Sequence, residues 1–145
     1  MSEKEVDSPD VDPAEAAEIQ RIAIDFFRSE SKSEDEAAKA MQRLVHTVKE
    51  PGAKLIHIGN VLFLIMVRAK NAVEVHTIGN EKSPRDLAND FVQLVQYLKN
   101  IGVKTAYTFT EDNRFWRLAQ MTKLPVKAFK STVEGKPVNV YAMEL

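Results

Sequence analysis

Apolar residues recur along this chain with two different periods, and the change from one to the other falls near Lys54. Before it, Ala16, Ile19, Ala23, Phe26 and Phe27 sit at helical spacing. They follow Asp12-Pro13, an acidic cap with proline at the first helical position. The pattern breaks over residues 29–32. Ser33-Glu34-Asp35-Glu36 then makes a capping box, with Glu36 three residues after Ser33. Ala37, Ala40, Met41, Leu44, Val45 and Val48 form the apolar stripe of a second helix, which Pro51-Gly52 ends.

From Lys54 the period is that of strands. Residues 55–58 are a short one, and Gly59-Asn60 is a hairpin-type turn. Residues 61–68 are apolar almost throughout, as in a strand buried on both faces at the centre of a sheet. Ala72–Ile78 is a third strand, with Glu74 and His76 on one face and Val73 and Val75 on the other. Ser83 caps a third helix that opens with Pro84 and carries Leu87, Phe91, Leu94, Val95 and Leu98 on one face. Asn100-Ile101-Gly102 stops it, and a strand follows over 103–110. A helix between two strands implies that they are parallel. Asp112 or Asn113 caps a fourth helix over 113–123, and Glu134-Gly135-Lys136 turns a hairpin of strands at 126–131 and 138–144. The predicted order is α-α-β-β-β-α-β-α-β-β, an α/β fold with a mixed sheet. Residues 13–145 are expected to form one domain behind a flexible acidic tail of residues 1–12, which has too little apolar surface to offset the cost of ordering.

Composition narrows the chemistry. The 145 residues include no cysteine, which excludes disulfides, thiolate catalysis and Cys-based zinc sites. His46, His57 and His76 show no metal-ligand spacing, so no metal is expected. No apolar run is long enough for a membrane-spanning helix, and an intracellular, cytoplasmic setting is the expectation. The net charge of −1 hides an asymmetry: residues 1–40 carry 12 acids and 5 bases, the rest 9 acids and 15 bases. Without a dense Lys/Arg run, this reads as acidic helices and a basic body rather than a nucleic-acid surface.

The element order resembles that of the GCN5-related N-acetyltransferase (GNAT) fold, across residues 13–145 and without that family's usual first strand. Asn113 stands where the family has a helix-capping Asn. The resemblance implies that Ala72–Ile78 and the strand at 103–110 are the parallel pair beside which the pantetheine arm of acetyl-CoA lies. The family's Gln/Arg-x-x-Gly-x-Gly/Ala loop, however, is replaced here by Gly79-Asn80-Glu81-Lys82-Ser83-Pro84-Arg85-Asp86. Both motif glycines are missing, and Pro84 removes a backbone donor where phosphates need them. The family's leaving-group Tyr falls near Gln120, and Tyr107 and Tyr141 read as packing residues.

Two functions follow from the resemblance. In the first, the chain is a degenerate GNAT-like protein without a cofactor. It then serves as a structural or protein-interaction module, a homo-oligomer or a bacteriophage virion component. In the second, it is an acetyl-CoA-dependent N-acetyltransferase with an atypical pyrophosphate loop. Glu74 or His76 would then deprotonate the substrate amine, main-chain groups of Val75, Thr77 and Ile78 would hold the pantetheine, and Lys82, Ser83, Arg85 and Asn113 would serve the rest of the cofactor. The plainer alternative for Glu74 and His76 is an exposed polar strand face. The missing loop and acid together favour the first function.

Overall fold

The computed structural model describes residues 4–5 (backbone only), 13–79, 83–110 and 119–145. In chain order its elements are β1 (Lys4–Glu5), α1 (Pro13–Glu30), α2 (Glu34–Thr47), β2 (Ala53–Ile58), β3 (Val61–Ala69), β4 (Ala72–Ile78), α3 (Pro84–Asn100), β5 (Thr105–Thr110), β6 (Lys127–Val133) and β7 (Lys136–Glu144). Residues 119–122 are helical, while 113–118, the rest of the expected fourth helix, lie outside the described residues, as does the Asp12 cap. The strands pair in the order β1-β2-β3-β4-β5-β7-β6. β4 and β5 are parallel, whereas β1–β2, β2–β3, β5–β7 and β6–β7 are antiparallel. This is the mixed sheet that the element order predicts. Among the described residues, no helix is long and apolar enough to cross a membrane.

Contacts divide the chain into two compact units, Met1–Met66 with His76–Lys82, and Val67–Val75 with Ser83–Leu145. In the first, α1 buries Ile19, Ile22 and Ala23 and α2 buries Leu44 against Leu55, Leu62, Leu64 and Ile78. Phe26 and Phe27 flank this cluster edge to face, with ring centroids 5.5 Å apart. Val61–Ile65 is buried at every position, as a central strand requires, but β3 outruns the core and Val67 is 57% exposed. The capping box of α2 forms: Ser33 Oγ accepts from the Glu36 amide at 3.1 Å, and Glu36 accepts from the Lys32 amide at 2.9 Å. His57 ties α1 to the β2–β3 turn, with Nδ1 3.2 Å from Glu15 Oε1 and Nε2 2.8 Å from the Gly59 carbonyl.

One strand of this unit departs from expectation. Lys4 and Glu5 pair with His57 and Ile56 and supply the first strand that the sequence did not reveal. Two polar residues carry no periodicity. Their pairing rests on backbone hydrogen bonds to the edge of β2, which any sequence can make.

In the second unit, α3 lays Leu94, Val95 and Leu98 in a shared apolar core with Val75 of β4, Ala106 of β5 and Tyr141 and Met143 of β7. β5 begins two residues later than predicted because Val103 still belongs to the helix stop: its amide bonds to Leu98 O at 3.0 Å. The amides of Lys104 and Thr105 then both bond to Asn71 O, at 2.8 and 3.0 Å, so the β3–β4 turn anchors the start of β5. β6 and β7 close the unit as a hairpin, and all seven residues of β6 are exposed.

Candidate active site

Glu74 is the centre of the candidate site. It lies on β4 and is only 6% exposed, which corrects the exposed-face alternative. A carboxylate so placed needs partners to offset its lost hydration. Arg68 supplies one across the β3–β4 turn, donating from Nε to Glu74 Oε1 at 3.0 Å. Tyr107 supplies another: it is the direct partner of Glu74 in the parallel β4–β5 register, and partners across a sheet share a face. Its phenol feels the Glu74 charge. Burial and then the Glu74 charge push the Tyr107 phenol above its ordinary value, against the opposing pull of Arg68.

Tyr107, which sequence reasoning assigned to packing, thus stands beside Glu74. No local motif marks it, and only the register between strands separated by α3 brings it to Glu74. His76, two residues beyond Glu74 on the same face of β4, is half-buried.

Behind the β4–β5 pair lies a cavity of about 40 Å³, walled by Val75, Leu94, Ala106, Tyr141 and Met143 among others. Its walls are almost wholly apolar, so it does not attract water.

The residues expected to hold a cofactor lie on β4 and at the start of α3. Val75 and Ile78 are buried on β4, and Thr77 is half-buried. The parallel pairing spans only Ala72–Glu74 with Thr105–Tyr107, so the β4 residues that follow lie beyond that register. The start of α3 fits phosphates poorly. Ser83 Oγ accepts from the Asp86 amide at 3.3 Å, Ser83 O accepts from the Leu87 amide at 3.1 Å, and Pro84 has no N–H. Arg85, which is exposed, keeps the remaining first-turn amide. Lys82 and Asn113 lie outside the described residues.

Gly79 opens this loop for a packing reason. Its φ is +151°, and a Cβ there would stand 3.1 Å from Asn60 O and 3.2 Å from Val61 Cα. The single glycine of the segment therefore serves close approach to the β2–β3 turn.

No family model and no curated protein sequence matches the chain. Solved structures do. An aminoglycoside 6'-acetyltransferase type Ii is similar over 99% of this chain and 97% of its own, with a TM-score of 0.66 and 12% identity. A probable GNAT-family acetyltransferase from Chromobacterium violaceum matches over 99% and 92%, with a TM-score of 0.61 and 15% identity. A ribosomal L7/L12 alpha-N-protein acetyltransferase in complex with coenzyme A matches over 93% and 91%, with a TM-score of 0.59 and 13% identity. At such identities the likeness carries the architecture alone: this chain has the fold of the GNAT acetyltransferases.

Proposed function

We propose that the protein is an acetyl-CoA-dependent N-acetyltransferase with an atypical phosphate site. The observation that carries this reading is the likeness of nearly the whole chain to acetyltransferases, one of them in complex with coenzyme A. The buried, hydrogen-bonded carboxylate on the strand of the expected cofactor arm adds to it. Bound acetyl-CoA would supply the acyl group as a thioester, which the acceptor nitrogen takes as the C–S bond breaks and the thiol leaves with the proton lost by the amine.

The residues divide the remaining work. Main-chain groups of Val75, Thr77 and Ile78 hold the pantetheine. Lys82 and Arg85 meet the phosphates as side-chain charges, because Ser83 and Pro84 withdraw most of the helix-start amides. Arg68 and Tyr107 fix the Glu74 carboxylate, which orients the acceptor amine. With Glu74 so engaged, His76 is the group of the pair suited to accept the amine proton.

Calorimetric titration with acetyl-CoA and free CoA tests the reading. Micromolar binding is expected, weakened at least tenfold by the double reversal Lys82→Glu/Arg85→Glu. No heat at several temperatures and no thermal shift at high ligand concentration would sink it.

A further inference from the structure

Val45 belongs by its spacing to the apolar stripe of α2, yet the core takes only part of that stripe. Ala37 and Leu44 are buried, Met41 and Val48 pack against the core of the first unit, and Val45 is left 43% exposed. It lies in an open groove of about 420 Å³ along one flank of the helix, walled by Ala38, Met41, Gln42, Val45, His46 and Lys49. Glu34, one turn before Ala38, extends this row at the helix start, and Lys49 ends it. The helical winding reaches that far, since Val48 keeps right-handed helical angles and the Lys49 amide bonds to His46 O at 3.2 Å.

Residues 34, 38, 41, 42, 45 and 49 follow the three- and four-residue spacings that share one helix flank. The steps between them are four, three, one, three and four, the same from either end. A two-fold axis between Met41 and Gln42 therefore lays the row antiparallel on its own copy with every position matched. We propose that this flank of α2 is an isologous contact joining two copies of the chain. Glu34 meets the partner's Lys49, Ala38 meets the partner's Val45, and Met41 meets the partner's Gln42. The small side chain of Ala38 leaves room for the valine at the close axial spacing of packed helices. Charge fixes the direction. The first turn of α2 carries Glu34, Asp35 and Glu36, and its other end carries Arg43, His46 and Lys49. Antiparallel pairing sets acid on base at both ends, whereas parallel pairing would set like on like. Glu34 has Arg28 at 3.5 Å, but its side chain is 78% exposed and open to a second cation. His46, 4.0 Å from Glu50, borders the groove and leaves the row itself to Lys49. The row is about 22 Å long. One helix pair of that length buries less than the roughly 1,200 Å² of a standard interface, so the dimer is weak and reversible.

Sedimentation equilibrium of the full-length protein from about 5 to about 500 µM tests the contact in the range expected of such an interface. Monomer is expected at the low end and dimer at the high end, with no acyl-CoA present. Glu34→Lys alone and Lys49→Glu alone each set like charges against each other at both ends. Each should raise the dissociation constant about tenfold. An equimolar mixture of these two variants should associate as tightly as the unsubstituted protein, because the two positive positions of one chain then face the two negative positions of the other. Val45→Glu, at an exposed position, should weaken the dimer about tenfold as well. A dimer indifferent to the single reversals, or reversals that do not recover on mixing, would overturn the proposal. So would a monomer at every concentration; if deletion of residues 1–12 then shifts the Val45 amide resonance, the groove belongs to the chain's own acidic start.

Discussion

Glu74 and Tyr107 illustrate how one residue's chemistry is set by a neighbour 33 positions away in sequence. A Tyr on a strand is by default a packing residue with a polar tip, but beside a buried carboxylate its proton is held. The sign of the consequence is definite. With the folded phenol raised above its ordinary value of 10.0, the neutral form is favoured by folding. The resulting stability is complete below that value and is lost as pH rises through the folded one. Ultraviolet titration of the phenolate band should therefore show that one of the three tyrosines ionises late. That late component should vanish in Tyr107→Phe. Its persistence in the variant would assign it to Tyr97 or Tyr141 instead.

Between elements, the relevant quantity is fit. The helix caps were legible because their signals are local: Ser33 and Ser83 cap α2 and α3, with Oγ accepting from the amides three residues on. The cavity between α3 and the sheet was not, since every residue lining it reads as ordinary core. Ala106 and Ala119 are the smallest apolar walls of that 40 Å³ space, and Ala106 stands on β5. Ala106→Val should fill it and raise stability by about 1 kcal/mol, following the cost per unit of cavity volume, as read from denaturant midpoints at constant slope. A lower midpoint would mean that the cavity walls cannot accept the extra methyl groups, and that the space is not free for packing.

For the whole molecule, on the proposed acetyl-CoA reading, the loop at residues 79–86, which lacks the GNAT motif glycines, would change how the phosphates are held. Phosphates held by a ring of amides are bound through short, oriented contacts. Phosphates met, as proposed, by Lys82 and the exposed Arg85 would be bound by charges on long side chains, which salt screens. The affinity for free CoA should accordingly fall several-fold between 50 and 500 mM salt, with the reversal Lys82→Glu/Arg85→Glu removing most of that dependence. Affinity that is tight and flat across salt would mean that backbone donors carry the phosphates after all.

The element order was determined by sequence alone, because it rests on periodicity and capping that each segment carries in itself. The 3.6 period before Lys54, the apolar run of β3 and the Ser83-Pro84 start of α3 need no partner to be read. The start of β5, the β1 strand and the site required the tertiary structure. β5 begins where Asn71 O accepts its first amides, β1 exists through backbone pairing with β2, and Glu74 finds Arg68 and Tyr107 only through the strand register. Each of these depends on which backbone or side-chain groups meet across the fold, and a hydrogen bond between distant residues leaves no periodic trace in the chain.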